Sequence, residues 1–516
     1  MAWLALLLLV AVATVAVFAR TVGFDFLLWD DDIQLTSNPT LHHLDWTTAW
    51  QMLTHGYAIR YQPLSWLSSA LLVHIGGLSP ALFHGYNVVL HASSAVLLAL
   101  VLRRLLARVA GDTDARGVSL WAPVVGALVF AIHPLRAEPV AWATGWRYCQ
   151  CVFLMLTSGL LYLRTIDAHP ADALRTLGYW LSVLAYALCA LTYPFCLEWP
   201  LVLVVLDVYP LRRWHSRTAK IEKLPFAVVS ALALAASVAV RLSTREASFV
   251  PASLARYGLG SRLMKAAQVW ADATWRTLWP VTLKPVYVGS TPFDALALRS
   301  IASALAVVGI TAVLVRLRRR YPAFLALWII HATLLGAKLG LLEAGHVEAA
   351  DRFTYPAGIA WAGLAAAAFV AAGRLQSRMR FLRIPIAVIV VLVLGLACFR
   401  HSSIWRNDIA FFQAGLAGVG ASGLRDDMVW RLALARWRRG ELDQALSLLN
   451  ELVARRPSDV RARLLRVGLF EKLGRHQDMQ HELGEAMRLT GARTTEEAVR
   501  RLTGLLRPGD TSTHAP

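Results

Sequence analysis

Charge is scarce in this chain. Of its 516 residues only 16% are Asp, Glu, Lys or Arg, against 57% apolar, and the mean hydropathy is +0.50. Those values exclude an ordinary soluble enzyme. Acidic residues are scarcer than basic ones, 33 against 52, which leaves a formal net charge of +19. Cysteine is nearly absent. Cys149, Cys151, Cys189, Cys196 and Cys398 all fall in apolar segments, where cysteine packs as a small hydrophobe. Cys149 and Cys151 are two apart on a predicted helix and point in different directions, which argues against a shared metal or disulfide. No disulfide framework is expected.

What the chain has instead is long apolar runs. A bilayer is crossed by about 17 to 25 apolar residues, and that ruler gives about eleven spans. They lie near 2–20, 82–102, 118–135, 148–163, 176–193, 195–211, 224–241, 299–316, 322–341, 354–373 and 382–399. The segment 64–79 is apolar but short and broken by Gly76 and Gly77, so it reads as interfacial or re-entrant. The first run lacks a basic flank before it and a clear small-residue cleavage site, which favours an uncleaved helix over a signal peptide.

The positive charge follows the spans. Arg103, Arg104, Arg108 and Arg116 lie between spans two and three, and Arg212, Arg213, Arg217, Lys220 and Lys223 between six and seven. Arg316, Arg318, Arg319 and Arg320 lie between eight and nine, and Arg374, Arg378, Arg380 and Arg383 between ten and eleven. All these loops fall on one side, and a Lys/Arg excess marks the cytoplasmic side. Nucleic acid would need one clustered basic face, so it is not expected as a partner. The loop after span one, the loops 134–147 and 242–298, the stretch 342–353 and everything after about 400 then face outward.

From about residue 404 the composition changes to a soluble helical pattern. The run Trp430 to Leu446 is echoed by Arg466 to Arg475, and Gly440 and Gly474 lie 34 residues apart. That is the period of the tetratricopeptide helix–turn–helix unit, with glycine at the turn and the small Ala433 and Ala445 allowing close packing. The competing reading is a generic helical hairpin tail. Residues 507–516 have little apolar content and read as disordered. The expected fold is all-α: a polytopic helical bundle over 1–399, a repeat domain over 404–506 and a short tail.

Acids and histidines gather at the outward ends of spans. Asp30, Asp31 and Asp32 follow span one; neighbouring carboxylates at a bilayer surface are costly to desolvate and raise one another's pKa. His84, Asn87 and His91 share one face at the start of span two. His133, Arg136 and Glu138 follow span three, and Arg147 opens span four. Glu343, His346, Glu348, Asp351 and Arg352 lead into span ten. Transporters place ionisable groups near mid-membrane in broken helices, whereas this pattern suits an interfacial active site. Duller readings stand beside it. His84, Asn87 and His91 could bond neighbouring helices, Arg147 could anchor at the interface, and Asp351 with Arg352 could be a plain ion pair. The triplet could hold a hard cation, although the local sequence completes no ligand set. His42 and His43 read as surface loop residues.

These stretches resemble the membrane glycosyltransferases of the GT-C superfold. More narrowly, they are similar to the protein O-mannosyltransferases that join transmembrane helices to tetratricopeptide repeats, and to their bacterial relatives. The resemblance runs through Phe26-Leu27-Leu28-Trp29-Asp30-Asp31-Asp32 with Asn38-Pro39, through Tyr61-Gln62-Pro63-Leu64-Ser65-Trp66, and through His84-Gly85-Tyr86-Asn87 to His91. It continues in His133-Pro134-Leu135-Arg136-Ala137-Glu138-Pro139-Val140-Ala141-Trp142, Asp207-Val208-Tyr209-Pro210-Leu211 and Glu222-Lys223-Leu224-Pro225-Phe226. Ala350-Asp351-Arg352-Phe353-Thr354-Tyr355 and Trp405-Arg406-Asn407-Asp408 complete the ordered set. Two stretches depart from the bacterial pattern. Thr144 to Cys149 lacks the expected base-then-acid order, and Tyr193-Pro194 stands where Lys-Pro is usual.

The resemblance implies transfer of a sugar, mannose by the family's name, from a polyprenyl-phosphate donor to an acceptor hydroxyl with inversion. The acceptor would be a Ser or Thr of a secreted or envelope protein, presented by the repeats. Asp31 or Asp30 would take the hydroxyl proton, help worth about 10²–10⁴-fold. Arg352, Arg147 or Lys284 would stabilise the leaving lipid phosphate. Asp351, His133, Glu138, His84 and His91 are further candidate substrate-binding residues. No cofactor is expected. The Arg- and Ala-rich composition points to a bacterial inner membrane, with the site and repeats in the periplasm. A non-catalytic assembly scaffold and a lipid-linked-sugar transporter are the rival functions.

Overall fold

A computed structural model describes residues 1–57, 60–110, 120–243, 257–287, 293–340, 349–374, 379–420, 422–492, 494 and 497. Arg116, Glu343, His346, Glu348, Arg378 and the tail 507–516 lie outside the described residues. Among the described residues the chain is helical, with an isolated β-bridge between Tyr57 and Arg60 and single bridge residues at Tyr287 and Ala349. It divides into two compact units that are not contiguous in sequence.

The first unit comprises 1–24, 38–283 and 288–403. Among the described residues six helices are long and apolar enough to cross a membrane: Ala2–Gly23, Pro80–Ala110, Ala143–Ala168, Arg217–Ser243, Leu298–Arg316 and Phe381–Trp405. A seventh candidate is the pair Trp121–Ala131 and Pro134–Ala141, bent by 57° at His133-Pro134. The remaining expected spans are helices of 10 to 17 residues: Leu177–Thr192, Trp199–Val208, Pro322–Leu335 and Gly358–Gly373. The segment read as interfacial or re-entrant is the short apolar helix Pro63–Gly76. Proline cuts two of these short. A residue before proline is pushed out of the helical region, and Tyr193 and Tyr209, each before a proline, are both extended.

Packing in this unit rests on small residues, as expected where lipid is as apolar as the side chains and close backbone approach supplies the attraction. At Gly126 an added Cβ would lie 2.5 Å from the Ala362 carbonyl oxygen and 3.1 Å from Ala366 Cβ. Ala95, Ala99, Val124, Ala127 and Ala131 are fully buried in the same core. On Phe381–Trp405 the opposite condition holds, with Ile389, Leu392 and Val393 exposed as an apolar surface.

One helix falls where a loop was expected. Leu259–Leu278 occupies part of the outward loop 242–298. Arg262, Lys265, Asp272 and Arg276 break any hydropathy window, yet Ala266, Val269 and Ala273 keep one apolar face buried. It is held by Asp272 to Arg299 at 2.8 Å and by Trp270 stacked on Trp328 at 4.6 Å.

Basic residues from two of the four expected basic loops pair with acids at helix ends. Arg104 and Arg108 both pair with Asp167, near the end of Trp146–Ala168. Nearby in the same helix, Tyr162 donates to Glu222 at 2.9 Å, Arg213 pairs with Glu222 at 2.8 Å, and Lys223 pairs with Asp207. The Asp207 and Glu222 motifs thus close on each other.

The second unit comprises 25–37, 284–287 and the chain from 404. After Asp408–Leu416 come two helical hairpins, Gly423–Arg438 with Leu442–Arg455 and Val460–Lys472 with His476–Thr490. Gly440 and Gly474 take the turns at φ +79° and +69°, a left-handed conformation that favours glycine. Ala433 and Ala445 are fully buried between the helices with Leu449, Leu452 and Leu469. All five cysteines of the chain are buried and free.

Candidate active site

The acidic triplet belongs to the second unit. Asp30 sits at φ +66°, a left-handed position rare for anything but Gly, Asn and Asp, and the turn it makes leads into a π-helical segment Asp32–Thr36. Asp31 is fully buried, and its Oδ2 accepts the Leu27 backbone N–H at 2.9 Å. That bond folds the carboxylate back onto its own loop. Asp32 Oδ2 lies 3.4 Å from Arg431 Nη1, while its Oδ1 is buried with no hydrogen-bond partner among the described residues. Burial raises the Asp32 carboxyl pKa above its ordinary value against the pull of Arg431, and Asp30 adds to the rise. Asp408 is pushed up to about 6, mainly by burial, although the Leu28 N–H that it accepts at 2.6 Å works the other way.

The other candidates, Lys284 apart, belong to the first unit, where two motifs close on each other. Glu138 is buried; its Oε2 accepts the Arg352 backbone N–H at 2.8 Å, and its Oε1 pairs with the Arg352 guanidinium. Arg136 donates to the carbonyls of Tyr355 at 2.9 Å and Thr354 at 3.3 Å. Arg352 is therefore fixed at both main chain and side chain. Its guanidinium lies over Trp142 at 5.4 Å and Tyr148 at 6.0 Å. Arg147 lies over the same two rings at 5.6 and 5.3 Å and over Tyr193 at 5.5 Å. A guanidinium above an aromatic face gains about 0.5 to 2 kcal/mol and keeps N–H groups at its rim for an anion.

Arg147 is 1% exposed, so it is no interfacial anchor. Arg352 pairs with Glu138, and Asp351 lies 3.9 Å from Arg276 and 4.0 Å from His401. His91 is engaged at both ring nitrogens, Nδ1 with the Tyr355 hydroxyl at 2.7 Å and Nε2 with the Ala131 carbonyl at 2.8 Å. His133 Nε2 meets the Thr277 carbonyl at 2.9 Å, and its Nδ1 accepts the Leu135 N–H at 3.2 Å. Asn87 donates to the Trp142 carbonyl at 2.8 Å. These three build the frame around the bent helix pair. His84 is buried with its ring edge-on to Phe24 at 6.1 Å. Lys284 falls in the second unit, where its backbone N–H donates to Tyr287.

Sequence reasoning missed two members of the arginine cluster, Arg60 and Arg241. Arg60, Arg147, Arg241 and Arg352 all act electrostatically on the Tyr193 hydroxyl. Arg60, Arg241 and Tyr193 lie far apart in the chain, and the one local signal was the replacement of a Lys-Pro pair by Tyr193-Pro194. That change does not leave the region short of positive charge. Lys338 was also missed; it bonds the Phe195 carbonyl, lies over the Phe195 ring at 4.3 Å and reaches Glu198 at 3.5 Å. Among the described residues no group of three or more His, Cys, Asp or Glu could hold a metal ion.

No family model matches the chain. Among curated proteins it is similar to the mouse protein O-mannosyl-transferase TMTC2, 30% identical over 207 residues, covering 39% of this chain and 23% of that protein. The human protein O-mannosyl-transferase TMTC4 is 27% identical over 186 residues, 34% of this chain and 25% of that protein. The matched stretches thus span about a quarter of the length of these relatives. Among solved structures, ArnT from Cupriavidus metallidurans bound to undecaprenyl phosphate aligns with 92% of this chain and 78% of its own, at 16% identity and a TM-score of 0.37. The chain resembles the TMTC mannosyltransferases in sequence, as its motifs suggested.

Proposed function

We propose that this protein is a membrane glycosyltransferase that moves a sugar from a polyprenyl-phosphate donor to an acceptor hydroxyl. The observation that carries the reading is the arginine cluster. Arg147 and Arg352 share two aromatic rings, Arg60 and Arg241 add their charge at Tyr193, and the surrounding body is apolar helix. Such a site suits a phosphate on an isoprenoid tail: guanidinium N–H groups bond its oxygens in a region of low dielectric, and apolar helix faces accept the tail. The buried Glu138 carboxylate fixes Arg352 against rotation, so little reorganisation is left to the moment of reaction.

In this reading Asp31 is the general base. Its carboxylate takes the proton of an acceptor hydroxyl while the oxygen attacks the anomeric carbon from the face opposite the phosphate. The glycosidic bond forms, the bond to phosphate breaks, and the configuration inverts. The Leu27 N–H on Oδ2 orients the carboxylate. His91 and His133 shape the donor pocket through the frame they build with Asn87, and Asp351 and His84 are further substrate-binding residues of the same unit.

The sugar is mannose and the acceptor a Ser or Thr of a secreted or envelope protein, a reading supported by the names of the curated relatives. The arginine-rich loops face the cytoplasm of a bacterial inner membrane, which puts the reaction and the C-terminal helices in the periplasm. The test is consumption of a radiolabelled polyprenyl-phosphate mannose by membranes containing the protein. Transfer to protein that is lost in Arg147→Met supports the reading. Movement of donor across proteoliposomes without glycosylated product would replace it with a transporter.

A further inference from the structure

The motif Trp405-Arg406-Asn407-Asp408 has no part in the chemistry just described, yet the structure brings it to the acidic loop. The Asp25 N–H donates to the Arg406 carbonyl at 3.0 Å, and the Leu28 N–H donates to Asp408 Oδ1 at 2.6 Å. From the first hairpin, Arg431 Nη1 donates to the Leu28 carbonyl at 2.7 Å and reaches Asp32 Oδ2 at 3.4 Å, while its Nε is held by Asp427 at 2.8 Å. Trp29 packs on Phe411 at 5.3 Å, and Phe411 in turn on Trp405 at 5.0 Å. Asn407 caps the helix that presents Asp408 by accepting the Ala410 N–H at 3.0 Å. Both backbone groups of Leu28 are therefore bound by C-terminal side chains, one residue after the Leu27 amide that orients Asp31.

We propose that Asp408 and Arg431 are positioning residues for the reaction: the C-terminal helical domain clamps the loop at Leu28 and so sets the geometry of the Asp31 carboxylate. This rests on Asp31 being the base. The domain then has a role in transfer apart from any acceptor it presents. Because the clamp acts on the carboxylate and not on the donor phosphate, its loss lowers kcat and leaves the donor KM unchanged.

The experiment uses the full-length protein in nanodiscs with radiolabelled polyprenyl-phosphate mannose, and compares Asp408→Ala with Asp408→Asn. The alanine removes the acceptor for the Leu28 N–H, whereas the asparagine keeps an oxygen there. The alanine variant should lose about 10²-fold in kcat with donor KM within about twofold, the scale of effect expected when a reacting group shifts by an ångström. The asparagine variant should stay within about tenfold of wild type, recovering much of the rate because its side-chain oxygen can still accept the bond. Amide hydrogen exchange is read in parallel. Peptides covering 25–37 should exchange faster in Asp408→Ala, while peptides covering 423–438 stay protected, which excludes a collapsed domain. If Asp408→Ala also unfolds 423–438, Arg431→Lys takes its place, with the same fall in kcat and the same local exchange expected. Unchanged kcat, unchanged exchange, or a loss in Asp408→Asn equal to that in alanine overturns the clamp. Wild-type protein without transfer overturns the functional reading and the catalytic role of the clamp with it, whatever the exchange shows.

Discussion

The helix Leu224–Ser243 carries a charged cluster at each end, about 27 Å apart by helical rise, and the two are built differently. At the Lys223 end each cation faces an acid. Lys223 pairs with Asp207, Arg213 pairs with Glu222, and the Tyr162 hydroxyl donates to Glu222. At the Arg241 end four arginines act on one tyrosine, and two of them rest on aromatic rings. A neutral cluster of buried pairs holds helices together and has nothing left to offer a ligand. At the other end the cations converge on aromatic rings, with Arg352 also held by Glu138, an arrangement suited to receiving an anion. Buried charge by itself is therefore a poor guide to function; the groups it rests on are the better one.

The sharpest way to break this contrast is at Lys223. Lys223→Met leaves Asp207 buried and uncompensated, so unfolding in detergent should come easier by about 3–5 kcal/mol, with turnover per folded molecule unchanged. Adding Asp207→Leu should restore most of that stability. If Lys223→Met instead abolished transfer without destabilising the fold, the structural assignment would be wrong. Arg147→Met should do the converse. Transfer should fall by about 10²–10³-fold, as when one donor to developing negative charge is removed, while the melting temperature changes little. Tyr193→Phe tests the centre of the cluster more gently. Loss of one buried hydroxyl, at about 1 kcal/mol, should raise the donor KM by about fivefold. An unaltered KM would detach Tyr193 from the donor site.

The smallest expected effect contrasts the arginine cluster with the second unit. Asp408 has a folded pKa of about 6 against an ordinary 3.8. Since that pKa is raised, its contribution to stability is fully present below pH 3.8 and is lost as pH rises through about 6. Asp408→Asn does not titrate, so it should gain stability relative to wild type between pH 4 and pH 7. Melting curves at the two values check this, and a constant difference would show that burial does not strain the carboxyl.

Much of this was legible in the sequence, for identifiable reasons. Each expected span contains a helix because apolar runs are what a bilayer requires, and Gly440 and Gly474 marked their turns because few other residues accept a left-handed conformation. Leu259–Leu278 escaped because Arg262, Lys265, Asp272 and Arg276 interrupt it. Individual motifs could be read, but their pairing could not. Glu138 and Arg352 are separated by more than two hundred residues, and nothing local to Leu28 announces Asp408 or Arg431. Arg60 and Arg241 stood alone in the chain with no pattern to single them out.

One measurement bears most directly on the central claim. Asp31→Asn keeps the shape of the side chain and the Leu27 hydrogen bond but cannot take a proton. The account predicts that a folded Asp31→Asn protein in membranes still binds polyprenyl-phosphate mannose but transfers it about 10²–10⁴-fold more slowly. Transfer at the wild-type rate by that variant would contradict it.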